Sequence, residues 1–170
     1  GDLLSWHNSD ANVRWARWNT TTNAFTAAGY VDVMPAYPST AGAFHLDQAV
    51  IEAVERPAQQ NSFGQLMYAV AGRADQLYAL YADAGGANCH WTPVGSIAMN
   101  SGEYVSGIGS FDGHRVFIGT SQGRLFRLDM SNLAITPGTY ATAPFAGSKA
   151  HKFAFLGPTT AFVCTANSVE

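Results

Sequence analysis

Charge is what this chain has least of. Only 12% of its 170 residues are Asp, Glu, Lys or Arg, about half the share of an ordinary globular domain. Nine basic residues against twelve acidic ones leave a net charge of -3. Phosphate recognition needs a concentrated basic surface, so nucleic acid is excluded as a partner. Long apolar runs are missing too: none approaches the ~18 residues of a bilayer-spanning helix, and no membrane insertion is expected. The N-terminus lacks the charged start and apolar centre of a signal peptide. A chain that begins at Gly1 rather than Met reads as a mature or excised form. The two cysteines, Cys89 and Cys164, lie far apart without metal-type spacing; one disulfide and two buried thiols both fit. The five histidines, His7, His45, His90, His114 and His151, form no pair at i, i+2 or i, i+4, so no metal or other cofactor is expected.

What is there instead is glycine, 17 residues of it, with Ala, Ser, Thr and Asn. That mixture suits short strands joined by turns, and low charge with abundant Thr and Asn points to an extracellular or secreted protein. The sequon Asn19-Thr20-Thr21 is compatible with glycosylation there. Sliding the chain against itself shows a repeat. Placing LMYAVAGRADQLYALY under RVFIGTSQGRLFRLD sets Tyr68 on Val116, Leu77 on Leu125, Tyr78 on Phe126 and Leu80 on Leu128, each 48 apart. A third copy, AFVCTANSVE, puts Phe162 and Thr165 45 residues after Phe117 and Thr120. A looser fourth match is LLSWHNSDANVRWARW. Each copy reads as an apolar strand, a polar turn, then a strand alternating apolar and polar residues.

A further strand precedes each pair: VSGIGS before the turn Asp112-Gly113, HKFAFL before Gly157-Pro158, and AVIEAVER in the second copy, where the repeat outweighs helix propensity over 49–55. A fourth follows in NAFTAAG, HWTPVGS and ITPGTYA. Four short antiparallel strands every 45 to 50 residues give an all-β chain, with units at 1–43, 44–99, 100–146 and 147–170. The run VFIGTSQGRLFRLD resembles the two middle strands of blades in the β-propeller superfamily, and RLFRLD followed by ITPGTY is faintly similar to hemopexin-type blades. The resemblance implies a β-propeller, or a propeller fragment, of about four short antiparallel blades. The Trp-Asp signature of WD40 blades, the tryptophan docking of quinoprotein propellers and the Asp box of sialidases are all absent. A β-sandwich also fits the strand count. By this repeat the chain starts and stops inside blades, and an oligomer or a larger parent chain is expected.

Gly119-Thr120-Ser121-Gln122-Gly123 matches the G-x-S-x-G pattern that presents a nucleophilic serine in many hydrolases. Such an elbow needs a strand, a strained turn and then a helix. Here RLFRLD follows, which reads as a strand, and the repeat places Ala74 where Ser121 stands. The pattern is therefore expected to be a hairpin turn. Arg124, Arg127 and Arg115 read either as a ligand clamp for a carboxylate or as a solvated strand face. The acids Asp47, Glu52 and Glu55, and more loosely Asp10 and Asp32, define no catalytic pair.

Aromatic residues supply the candidate ligand site. Trp6 and His7 end one strand, Trp15 and Trp18 lie in the next, and Asp10 and Asn12 sit in the turn between. Alternation puts Trp15 and Trp18 on opposite faces, one in the core and one available. Trp91, beside His90 and Cys89, repeats the pattern. An exposed indole beside polar turn residues suits stacking on a sugar or anchoring a protein, against the plain alternative that all these rings fill the spaces between packed sheets. The expectation is a non-catalytic binding or interaction module for glycan or protein, with Trp6, His7, Asp10, Trp18 and Trp91 as ligand-binding residues. Its rivals are a propeller-type glycan-active hydrolase or lyase and a structural subunit of a larger assembly.

Overall fold

The computed structural model describes residues 2–6, 12–19, 21–33, 50–83, 90–138 and 149–165, and among them there is no helix. The described residues contain thirteen strands in four antiparallel sheets, three of them meanders and one a hairpin. The first holds β1 (Asp2–Trp6), β2 (Asn12–Asn19) and β3 (Ala24–Val33). The second holds β4 (Val50–Ala53), β5 (Leu66–Arg73), β6 (Gln76–Ala82) and β7 (His90–Ser96). The third repeats that plan with β8 (Val105–Gly109), β9 (Arg115–Thr120), β10 (Leu125–Asp129) and β11 (Ala134–Gly138). The fourth is the hairpin of β12 (Ala150–Gly157) and β13 (Thr160–Thr165). The strands expected over AVIEAVER, HWTPVGS, VSGIGS and HKFAFL are all present, the first as the short β4.

The spacing of 48 needs one correction. Leu80 pairs with Ala69 as Leu128 pairs with Val116, and Leu77 pairs with Gly72 as Leu125 pairs with Gly119. The counterpart of Val116 is thus Ala69, not Tyr68. The leucines repeat at 48 but the glycines at 47 because the β9–β10 turn is one residue longer than the β5–β6 turn. A sequence offset carries one number across both strands of a hairpin, whereas the inserted residue changes the number at the turn.

The core lies between the second and third sheets. Leu77 and Val70 from one meet Val105, Ile108, Ile118 and Leu128 from the other, all nearly inaccessible to water. Each such side chain stabilises the fold by about 1.5–3 kcal/mol on burial. Two glycines set how closely sheets approach. A Cβ at Gly72 would lie 2.3 Å from Val105 Cγ1, and one at Gly119 would lie 2.3 Å from Ala150 Cβ. At equivalent places in successive sheets, therefore, the missing side chain admits the first strand of the next.

Those first strands converge. β4 packs on β8, and β8 on β12. Beyond β4 and β8 the chain runs parallel to itself, with a bridge between Val54 and Ser110 and an Arg56 N–H bond to the Phe111 carbonyl at 2.7 Å. Lys152 of β12 reaches back to Glu52 of β4, 3.4 Å away. Between sheets three and four, Phe117 meets Phe153 and Phe155 at ring distances of 6.3 and 5.7 Å. The outer strands end the two full sheets in the same way: Pro93 of β7 stands opposite Tyr78, and Pro137 of β11 opposite Phe126. Proline has no N–H to offer a further strand, so both outer edges are blunted.

Candidate functional site

The segment Asn100-Ser101-Gly102-Glu103 makes a tight turn closed by the Glu103 N–H bond to the Asn100 carbonyl at 3.1 Å. Gly102 occupies its third position at φ +73°, a left-handed conformation that glycine adopts without the steric penalty of a Cβ. The turn drops Glu103 into the protein, 1% exposed. Its carboxylate accepts bonds from Arg124 Nε at 2.9 and 3.1 Å, from the Asn100 N–H at 2.9 Å and from the Thr120 hydroxyl. Burial on its own would raise this carboxyl. The hydrogen bonds from Arg124, Thr120 and Asn100 outweigh it and lower the group from 4.5 to about 2. Arg124 is further fixed by the Ala98 carbonyl at 2.8 Å and by the Phe126 ring, 4.9 Å below its guanidinium. The foreseen carboxylate partner of Arg124 is one of its own chain, Glu103, while the side chain stays partly exposed.

Ser121 belongs to the same corner. Its backbone N–H donates to the Tyr104 carbonyl at 2.9 Å, and its hydroxyl oxygen accepts the Tyr104 N–H at 3.2 Å. The residues after it turn at Gly123, φ +76°, and return as β10. A hairpin explains the G-x-S-x-G pattern, as expected. Next to Tyr104, the Val105 N–H bonds the Ala74 carbonyl at 2.8 Å. Residues 103–105 are thus gripped from both sides, by the β5–β6 turn of one sheet and the β9–β10 turn of the next. Among the described residues no group of three His, Cys, Asp or Glu could hold a metal ion.

The tryptophans singled out in the sequence fall in two sheets. Trp6 pairs with Val13, Trp15 with Leu4 and Gly29, and Trp18 with Phe25, which places all three in the first sheet. His7, Asp10, Asp47 and Cys89 lie outside the described residues. Trp91 is in the second sheet, in β7, the strand against which β3 packs. It is 4% exposed, and its indole N–H has no hydrogen-bond partner among the described residues. The neighbouring His90 ring stands 6.1 Å from that of Tyr81. Cys164 is a free, half-buried thiol.

One aromatic that sequence reasoning passed over stands out. Phe63 is 85% exposed at the tip of the loop between β4 and β5. The Asn61 side-chain oxygen accepts the N–H groups of Phe63 and Gln65, each at 3.0 Å, and its amide donates to Gln65 Oε1 at 3.0 Å. Gln65 in turn donates to Asp83 Oδ1 at 2.9 Å, and Gly64 supplies the left-handed turn at φ +77°. The signal was present in Asn61-Ser62-Phe63-Gly64: asparagine and glycine two and one residues from a phenylalanine mark a turn with an apolar tip.

The fold defines an all-β protein of successive antiparallel meanders packed sheet on sheet. Comparison with family models, with curated proteins and with solved structures finds no match for this chain.

Proposed function

We propose that this chain is a non-catalytic binding or interaction module of β-propeller type, recognising a protein or glycan through a preorganised aromatic tip. The observation that carries the binding reading is Phe63: a large apolar side chain held out in water by a loop whose polar groups are internally bonded. Exposing such a ring costs solvation free energy, and fixing it in advance removes the ordering cost of association. Aromatic anchors of this kind dominate protein interfaces.

Two observations support the propeller. The second and third sheets share one strand order, and equivalent glycines face the first strand of the following sheet. Their first strands also converge, as strands around a common axis would. Against the hydrolase or lyase alternative, the described parts of β4, β8 and β12 contribute one carboxylate, Glu52, and Lys152 faces it. Glu103, Arg124 and Ser121 are each tied into structural bonds.

The test is a glycan array and a displayed peptide library, probed with the wild-type chain and with Phe63→Ser. Ligands held by wild type and lost in the variant, at unchanged melting temperature, support the reading. Silence in both formats, or ligands retained by Phe63→Ser, would sink the assignment of the tip. An esterase activity abolished by Ser121→Ala would instead restore the hydrolase.

A further inference from the structure

The loop that carries Phe63 is a short arm with a firm root. Gln59 and Gln60 run against Leu66 and Met67, through the Gln60–Leu66 bridge and the Met67 N–H bond to the Gln59 carbonyl at 3.0 Å. The arm is also fastened to the following sheet, since the Ala58 and Gln59 N–H groups both donate to the Asp112 carbonyl, at 3.0 and 3.1 Å. Gly113 permits that approach: a Cβ there would lie 2.9 Å from Gln59 Cβ. The tip therefore holds its geometry before a partner arrives, and its chemistry narrows what the partner is.

A sugar carries hydroxyls around its ring, and covering them with an apolar surface costs free energy unless neighbouring polar groups bond them. At this tip such groups are already committed. The Asn61 N–H bonds the Gln65 carbonyl and the Gly64 N–H bonds the Asn61 carbonyl, each at 3.0 Å. Asn61 Oδ1 takes the Phe63 and Gln65 N–H groups, and the Gln65 side-chain amide donates to Asp83. No residue from 57 to 72 is charged. What faces a partner is one ring, convex, uncharged and open to water on nearly every side. Its complement is a concave apolar cavity, the surface that side chains of a folded protein build.

We propose, on the reading of Phe63 as the binding tip, that the partner is a folded protein whose apolar pocket encloses the whole ring, and that no sugar stacks on it. Affinity then comes from burial of the ring. It changes little with salt, and another apolar side chain of similar size can replace phenylalanine. Stacking on a sugar needs the flat face of an aromatic ring, which leucine does not have.

The test probes an array of purified, individually identified proteins, a glycan array and phosphatidylcholine vesicles with the full chain and with Phe63→Ser, Phe63→Leu and Phe63→Tyr, taking affinities of the ligands found by calorimetry. The expected result is a protein ligand whose affinity falls at least about thirtyfold in Phe63→Ser and stays within about fivefold of wild type in Phe63→Leu. That affinity should hold steady between about 50 and 500 mM salt. A glycan held by wild type and Phe63→Tyr but lost in Phe63→Ser and Phe63→Leu overturns the pocket and leaves the tip standing. So does a protein ligand that Phe63→Leu loses as fully as Phe63→Ser, or vesicle binding that depends on Phe63. Silence on all three probes, or ligands that Phe63→Ser holds as tightly as wild type, overturns the pocket and the tip together.

Discussion

The β5–β6 and β9–β10 hairpins occupy the same place in successive sheets, yet they handle polarity in different ways. The first turns through two residues, Ala74 and Asp75, with Ala74 forced to φ +52°. Its tip offers backbone carbonyls to the Val105 N–H and, at 2.9 Å, to the Ile97 N–H. The second turns through three residues, and the left-handed position falls on Gly123. There Thr120 and Arg124 straddle the turn, the Thr120 hydroxyl accepting the Arg124 N–H at 3.1 Å while it donates to Glu103. One added residue widens the turn and accompanies the buried carboxylate of Glu103, held by Thr120 and Arg124 from either side of that turn. The repeat is kept in apolar and glycine positions, which build the sheets. Its copies diverge where polar side chains are added.

The sharpest way to break this difference is Glu103→Ala. It leaves Arg124 and the Thr120 hydroxyl without their buried acceptor and should cost about 3–5 kcal/mol, measured by urea unfolding. If the loss is under about 1 kcal/mol, the cluster is ornamental and the two hairpins are energetically alike.

Acid gives the same comparison without mutation. Glu103 titrates near 2 in the folded chain against 4.5 as its reference. The folded state therefore holds its proton less tightly, and the stabilisation is fully present above about pH 4.5. It is lost as pH falls from there toward 2, by about 3 kcal/mol in all. Glu103→Gln should flatten the acid limb of the melting-temperature profile, and a limb unchanged in that variant would assign acid sensitivity elsewhere.

Close approach of sheets should distinguish the hairpins more mildly. Gly119→Ala drives a methyl against the fixed Cβ of Ala150 at 2.3 Å, whereas Gly72→Ala meets the Val105 Cγ1 at 2.3 Å, with the fixed Cβ of that valine at 2.9 Å. The first should cost about 2–3 kcal/mol and the second about 1–2 kcal/mol. Equal losses would mean that backbone spacing, rather than the facing side chain, sets the tolerance. Smallest is Ala74→Gly. Relief of a left-handed alanine should outweigh the added freedom of the unfolded chain and stabilise by about 1 kcal/mol, a rise of about 2–4 °C in melting temperature.

Strand order was legible because it rests on local rules. Alternation in RLFRLD, the turn at Asp112-Gly113 and the recurrence of leucine after glycine each depend on a few adjacent residues. The buried carboxylate was not legible, since Glu103 follows Gly102 in a polar stretch and its partners lie 17 and 21 residues away. Nothing in the run Asn100-Ser101-Gly102-Glu103 says that its last side chain points inward. Phe63 was passed over for the opposite reason: an aromatic residue is expected inside, and its exposure follows from an asparagine that bonds the loop rather than from the phenylalanine. Trp91 was legible as an aromatic in a strand with two readings, an exposed anchor or a ring filling the space between sheets, and the sequence did not choose between them because the sheet that accompanies its strand is remote in sequence.

The grip on residues 103–105 has a bearing on how the molecule comes apart. The β5–β6 turn holds Val105 and the β9–β10 turn holds Tyr104 and Glu103, so neither turn can open without releasing the start of β8. Independent fraying of the second and third sheets is thereby penalised, and the two should open as one cooperative unit. Amide protons of β6 and β10, deep in different sheets, should then exchange with a common opening free energy.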